Sequence, residues 1–284
     1  MNELRDAAEW VRSADRVLIT AGAGLSAAAG FDYTDGERFA ELFPVLHKAG
    51  LRARYEMIGR KLPPEYLWGF WAVHTNDIRF NPEPSPLYQQ LHSIVGDRDS
   101  FVMTSNVDQL FSRNGFDSKK MFTPQGDYGL YQCLTPCTRE VWPSEPIIRT
   151  ALEHYDRATG QVAPEAIPSC PNCGGPVFLN VYAGAWYIND HFRPGLDRLN
   201  DWLAETREGG ESLAIIEIGA GFNTPGVIRW PSEQLVRGLP NARLIRINRD
   251  HPDVPDDLAS RAWAIAAEAG TAIEQLAHPT GVSS

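Results

Sequence analysis

The run Val17-Leu18-Ile19-Thr20-Ala21-Gly22-Ala23-Gly24-Leu25-Ser26 passes from a short apolar segment straight into two spaced glycines. Valine, leucine, isoleucine and threonine in succession favour a buried strand, and the glycines after them permit a tight turn with close backbone approach. Upstream, Leu4, Ala7, Ala8 and Val11 recur at helical spacing within residues 3–14. A helix, a buried strand and a glycine turn entering another helix form the opening of a doubly wound nucleotide fold.

Three further β-rich runs extend this pattern: Ser100-Phe101-Val102-Met103-Thr104, Leu213-Ala214-Ile215-Ile216-Glu217-Ile218 and Ala242-Arg243-Leu244-Ile245-Arg246-Ile247-Asn248. Each gives way to polar residues or glycine, as expected of a parallel sheet that carries its functional loops at the strand C-termini. The expected fold class is therefore α/β, a Rossmann-like doubly wound parallel sheet. Two segments interrupt the alternation. Residues 37–80 are helical and aromatic-rich, with Tyr66, Trp68, Phe70 and Trp71, and residues 127–185 hold many prolines and all four cysteines. The expected organisation is a nucleotide-binding domain from 1–36, 81–126 and 186–284. A helical insertion (37–80) and a zinc-binding module (127–185) would make a smaller lobe.

A chain of 284 residues with 43% hydrophobic and 22% charged residues is ordinary for a globular protein with one large core and a smaller lobe. Its net charge of −10 argues against nucleic acid or an anionic membrane as principal partner. The charged start Met1-Asn2-Glu3-Leu4-Arg5-Asp6 is unlike a secretion signal, and no apolar run is long enough to span a bilayer. A cytoplasmic location is the expectation. In a reducing compartment, Cys133 and Cys137, with Cys170 and Cys173, point to a metal rather than to disulfides. Four thiolates at such spacing can share one tetrahedral zinc ion with no position left for water, which makes the site structural. Four buried cysteines without metal are the alternative.

Gly22-Ala23-Gly24-Leu25-Ser26 can bring backbone N–H groups against a pyrophosphate, or can be a tight connection with no ligand. Gly219-Ala220-Gly221-Phe222-Asn223-Thr224-Pro225 forms a second glycine-rich turn, placed for phosphate or ribose. Asn248-Arg249, after the fourth run, suits ribose hydroxyls or the adenine side, or ordinary loop capping. Three such termini on one sheet argue for a shared dinucleotide.

The combined pattern resembles the sirtuins. Gly22 to Ser26 is similar to their Gly-Ala-Gly-x-Ser loop, and Thr104-Ser105-Asn106-Val107-Asp108 to their Thr-Gln-Asn-Ile-Asp motif, with Ser105 in place of glutamine. The cysteines fall between the second and third strands, and Gly219 to Pro225 and Asn248 match the later NAD loops. The resemblance spans most of residues 4–275, although 37–80 match weakly. It implies NAD as co-substrate, a structural zinc, and a cofactor site made of Gly22, Ala23, Gly24, Ser26, Tyr33, Ser105, Asn106, Asp108, Gln125, Gly219, Ala220, Gly221, Asn248 and Arg249.

Two departures narrow the expectation. Gly30-Phe31-Asp32-Tyr33-Thr34-Asp35 stands where deacylase sirtuins have a Gly-Ile-Pro-x-Phe-Arg run, and Pro124-Gln125-Gly126 puts glutamine where their catalytic histidine precedes glycine. Both features resemble the macrodomain-linked bacterial sirtuins, class M. That resemblance implies protein ADP-ribosylation, a lipoyl-carrier acceptor related to the glycine cleavage H protein, and a functional link to a macrodomain hydrolase.

The chemistry runs the same way. Asn106, Asp108 and Gln125 are the candidate catalytic residues: Asn106 to orient a ribose hydroxyl or a water, Asp108 to bond nicotinamide or brace its loop. The plain alternative for the first two is capping of a helix that starts near Gln109. A deacylase needs a base to activate a ribose hydroxyl, and histidine can take that proton whereas the Gln125 amide cannot. Losing a general base costs about 10²- to 10⁴-fold, so deacylation should be poor while glycosidic cleavage survives. An acceptor bringing its own nucleophile, such as a carboxylate, bypasses the missing step. Competing expectations are a residual deacylase, an NAD hydrolase and a non-catalytic NAD sensor. Arg193 is an acceptor or phosphate contact or a surface residue; Trp68, Trp71 and Trp186 are a groove or core. His74, His92 and His191 are expected to be solvated or structural.

Overall fold

The computed structural model describes residues 2–80, 83–222 and 224–278. The chain divides into two compact units, Met1–Phe31, Pro84–Gln125 and His191–Ser284 in the first, Asp32–Glu83 and Gly126–Asp190 in the second. Residues 32–36, Glu83, Gly126 and residues 186–190, expected in the nucleotide domain from sequence, belong to the second unit. The division follows packing rather than the hydrophobic punctuation of the chain.

The first unit is built on six parallel strands. Their order is Ala262–Ile265, Ala242–Ile247, Leu213–Ile218, Arg16–Ala21, Asp99–Thr104 and Met121–Phe122. The four apolar runs of the sequence are its four central strands. The two edge strands, two and four residues long, are too short to stand out. Side chains alternate between two cores, which is why the strands read as continuous apolar runs. Val17, Ile19, Ala214, Ile216 and Ile218 enter one core, under the helices Asn2–Ser13, Pro86–Val95 and Ala269–Ala277. Leu18, Leu213, Ile215 and Leu244 enter the other, with Leu199, Trp202 and Val236 from the helices Arg193–Glu208 and Arg229–Gly238.

The chain starts in mid-sheet, builds outward through Asp99–Thr104 to Met121–Phe122, then returns to the other side of the first strand at Leu213–Ile218. Strand order thus reverses between Arg16–Ala21 and Leu213–Ile218. A doubly wound sheet opens a crevice at such a point, beyond the strand C-termini, and ligands bind there.

One charge pair inside the sheet is unusual. Glu217 and Arg246 lie directly opposite in register, each about 1% exposed or less, joined by Arg246 Nε to Oε1 (2.6 Å) and Nη2 to Oε2 (3.0 Å). Glu233 accepts a further bond from Arg246 Nη2 (2.9 Å), and Arg229, also buried, stands 3.9 Å from Glu217. Two guanidinium groups and two carboxylates balance, which makes burial tolerable.

The second unit joins a helical half to a β half. The helix Pro64–Thr75 continues through one wide turn, Asn76–Phe80, and buries Trp68, Phe70 and Trp71. Trp71 packs edge-on to Phe178 and tilts on Tyr128, both from the β half. That half is a three-stranded antiparallel sheet in the order Trp142–Pro143, Gly126–Cys133, Val177–Val181. Among the described residues no helix is long and apolar enough to cross a membrane.

Candidate active site and metal centre

Two glycine turns meet at the point where strand order reverses. Gly22 N–H donates to Ile218 O (2.9 Å) and Gly24 N–H to Gly219 O (3.0 Å). A Cβ on Gly22 would lie 2.7 Å from Gly219 O, and one on Gly24 would lie 2.7 Å from Gly219 Cα. Gly219 has φ +62, and a Cβ there would come within 2.6 Å of Gly24 backbone atoms. The three glycines are therefore needed for the contact of one turn with the other. The N–H groups of Gly22 and Gly24 are thus bonded to the neighbouring strand end and turn, as in the tight connection that the sequence also allows. Around Gly221 the space is open, with nothing within 4 Å of a built Cβ. Asn223, in the same turn, lies outside the described residues.

The loop after Asp99–Thr104 is tied to the first turn. Thr104 Oγ1 donates to Ala21 O (3.0 Å) and accepts from Asn106 N–H (3.0 Å), while Ser105 N–H donates to Ala21 O (3.0 Å). Asn106 Nδ2 then reaches Gly22 O (3.0 Å). Asp108 Oδ2 accepts a short bond from Ser26 Oγ (2.5 Å) and its Oδ1 accepts from Leu110 N–H (2.9 Å). The single-turn helix Leu110–Arg113 follows, after Gln109 at φ +60. Asp108 thus braces its loop through both carboxylate oxygens, while Gln109, at the N-cap of that helix, makes no side-chain capping bond. Ser26, Asn106 and Asp108 are each less than 9% exposed.

Gln125 follows the edge strand Met121–Phe122 and is half-buried. Asp99–Thr104 and Met121–Phe122 pair in parallel, Val102 with Met121 and Met103 with Phe122, so the loop of Asn106 and the turn of Gln125 both follow strand C-termini on the same side of the sheet.

The later loops differ in detail from expectation. Asn248 Nδ2 donates to Ala220 O (2.9 Å), and its Oδ1 accepts from Asp250 and His251 N–H (3.0 Å each). Its side chain thus clamps two loops. Arg229, which the sequence did not single out, donates to the same Ala220 carbonyl (3.1 Å) and to the carbonyls of His251 and Asp253. Arg249 is exposed and holds Asp250 and Glu268 in ion pairs.

In the second unit an antiparallel strand pair brings the two cysteine turns together. Cys133 ends one strand opposite Val177, and Ser169 bridges Pro176 just beyond. Gly174 N–H donates to Cys170 O (2.8 Å), with Gly174 at φ +71, and Cys170 N–H donates to Gly175 O (2.8 Å). All four sulfurs lie within 4.8 Å of one another, with Cys133–Cys173 at 3.7 Å and Cys137–Cys170 at 3.6 Å. A tetrahedron of zinc–sulfur bonds of about 2.3 Å has edges of about 3.8 Å. That match, far from the ~2.05 Å of a disulfide, fits one zinc ion. Burial pushes the Cys170 thiol up, but the N–H groups of Cys173 and Asn172 outweigh it and bring it down to about 7. Cys173 goes the other way: the Gly175 backbone bond lowers it, but the thiols of Cys137, Cys170 and Cys133 outweigh that and push it up to about 12, so the fit to zinc rests on the sulfur spacing.

A protein of Fusarium oxysporum f. sp. cubense, named a probable bifunctional ADP-ribose hydrolase/ADP-ribosyltransferase, is 41% identical over 248 residues, 85% of this chain. The chain spans 41% of that relative's length. A protein ADP-ribosyltransferase of Staphylococcus aureus (strain Mu50 / ATCC 700699) is 29% identical over 284 residues, covering 96% of this chain and 88% of its own. The crystal structure of a Sir2 homologue in complex with NAD matches with a TM-score of 0.60 at 20% identity, covering 97% of this chain and 93% of that one. No protein-family model matches. The chain has the fold of the Sir2 homologues and is similar in sequence to these two ADP-ribosyltransferases.

The remaining sequence candidates are placed as follows. Tyr33 lies in the second unit, with its ring against Tyr55 and His74. His74 is fully buried; burial first, and the Arg54 charge second, hold its pKa well below the ordinary value. Neutral and enclosed, it is structural. Trp68 and Trp71 are core, Trp186 is half-buried, and Arg193 and His191 are exposed. Tyr88 was missed. It is fully buried on the helix Pro86–Val95, with its hydroxyl 3.4 Å from Ser26 Oγ. In sequence it is one more apolar-face aromatic, and nothing marks its hydroxyl as part of a site.

Proposed function

We propose that this protein is a sirtuin-type NAD-dependent protein ADP-ribosyltransferase, cleaving the nicotinamide–ribose bond and passing ADP-ribose to a protein acceptor. The observation that carries the reading is Gln125, in the turn after a strand that runs parallel to the one ending in the Asn106 loop, and without any capacity to take up a proton. Bond cleavage needs the ribose held and developing positive charge stabilised, and the buried Asn106–Asp108 loop suits both tasks. The step a deacylase adds afterwards needs a base, and Gln125 is not one. The names of the Fusarium and Staphylococcus relatives support transfer as the outcome. The cofactor loops are Gly22–Ala23–Gly24, Ser26, Ser105 and Gly219–Ala220–Gly221, at the crevice where NAD is expected in such a sheet.

A lipoylated carrier of the glycine cleavage H type is the acceptor class we propose. An ADP-ribose hydrolase is the proposed opposing activity, in keeping with the bifunctional name of the Fusarium relative. The test incubates the protein with labelled NAD and such a carrier, with and without its lipoyl group. Label on the carrier is expected. O-acyl-ADP-ribose from an acyl-lysine peptide, with no labelled carrier, would move the assignment to deacylase; free ADP-ribose alone would move it to NAD hydrolase. NAD recovered intact, though bound, would make the protein a sensor.

A further inference from the structure

Arg229 is about 2% exposed, and its guanidinium bonds three backbone carbonyls. Nη1 donates to Ala220 O (3.1 Å) and His251 O (2.9 Å), and Nη2 donates to Asp253 O (3.1 Å). Asn248 works alongside it. Its Nδ2 donates to the same Ala220 carbonyl (2.9 Å), and its Oδ1 accepts from His251 N–H (3.0 Å). The turn after Leu213–Ile218 and the loop after Ala242–Ile247 are thus stitched together twice, at the strand C-termini where a doubly wound sheet binds ligands. Over the fixed guanidinium lies the ring of Phe222, its centroid 4.4 Å from Arg229 Cζ. The His251 ring stands nearly perpendicular to it, centroids 5.0 Å apart. Phe222 is nevertheless 57% exposed, so its other face is open. Beside it, a Cβ built on Gly221 meets nothing within 4 Å.

An exposed aromatic ring alone is ordinary on a protein surface. This one is held from behind by a buried cation that is itself tied to three carbonyls, so it offers a flat face that loses little freedom when something stacks on it. A planar base fits such a face, because every base has a π-surface of matching size. We propose that Phe222 is the stacking face for the base of an adenine nucleoside diphosphate, and that Arg229 is the positioning residue that holds it there. The inference rests on the proposed use of NAD and assigns the adenine end of that site.

ADP carries the base and the diphosphate without the bond that is cleaved, so it probes this end alone. The experiment titrates ADP into the full chain with zinc by isothermal calorimetry, in wild-type, Phe222→Ala, Arg229→Lys and doubly substituted forms. Phe222→Ala should lower ADP affinity about tenfold, the worth of one base–aromatic stack, with the melting temperature within about 3 °C. Lysine keeps the charge but lacks the planar fork that reaches three carbonyls. Arg229→Lys should therefore weaken ADP by a similar factor and add nothing in the Phe222→Ala background. Unchanged affinity in Phe222→Ala, additive losses in the double variant, or no binding of ADP to the wild type would each overturn the proposal. A second readout does not need Arg229→Lys to fold. In phenylalanine-labelled wild type, the adenine protons of bound ADP should show nuclear Overhauser contacts to the Phe222 ring that vanish in Phe222→Ala, and their absence overturns the proposal. If ADP behaves as expected while NAD is never cleaved, the enzymatic reading fails and the stacking face stands. If NAD is cleaved while ADP ignores Phe222, this proposal fails alone.

Discussion

Substituting Gly219 by alanine tests the claim that the two glycine turns are built against each other. At φ +62 an alanine backbone costs roughly 1–2 kcal/mol. The new Cβ would also come within 2.6 Å of Gly24 atoms that are backbone and cannot swing away. Forcing a methyl into such a place costs about 1–3 kcal/mol more. The sum is about 2–5 kcal/mol, which at about 2–4 °C per kcal/mol for a unit of this size lowers the melting temperature by roughly 10 °C. Gly221→Ala is the control. It sits two residues away in the same turn, with open space and without a positive φ, so its melting point should move by about 1 °C or less. The assay is thermal unfolding by circular dichroism, repeated in urea to confirm an unchanged m-value. Should Gly219→Ala melt alongside Gly221→Ala, the close packing of the turns is not what the glycines are for.

Three other perturbations follow from the same structure. Purified protein should carry one zinc per chain by elemental mass spectrometry, and Cys173→Ser or strong chelation should remove it and lower the melting point by on the order of 10 °C; full cysteine reactivity toward a thiol reagent before any chelation would count against the site. Glu217→Gln leaves buried Arg246 short of its bidentate partner and should cost about 3–5 kcal/mol in urea unfolding, whereas a loss below about 1 kcal/mol would show that Glu233 alone suffices. Burial pushes the Asp99 carboxyl up, but Lys120, Trp202 Nε1 and Arg16 outweigh it and hold its pKa below the ordinary value. Its folded value lies under the unfolded one, so its contribution is complete above pH 3.8 and disappears as pH falls through the folded value. Asp99→Asn should therefore flatten the acid limb of the stability curve, and an unchanged limb would count against that linkage.

How much of this was legible beforehand depended on the range of the interaction concerned. Four central strands were plain because each is buried on both faces and so is mostly apolar, Glu217 and Arg246 being the buried exceptions; Met121–Phe122 and Ala262–Ile265 escaped because two to four residues carry no period. The cysteine pairs were legible because ligand spacing is local. Asn106, Asp108 and Gln125 stood out through ordered motifs, yet what Asp108 bonds to depends on Ser26, eighty-two residues away in sequence.

From the chain alone came the α/β alternation, the glycines, the paired thiols and the amide in place of a proton acceptor, because these are properties of residue type and short spacing. Only the tertiary structure decided where the N–H groups of Gly22 and Gly24 point, which carbonyl Asn248 holds, that Arg249 is occupied by acids at the surface, and that a buried tyrosine hydroxyl stands beside Ser26. Those are choices among partners far apart in sequence. Hydrogen-bond direction and the contact of two backbones exist only once the strands are in register.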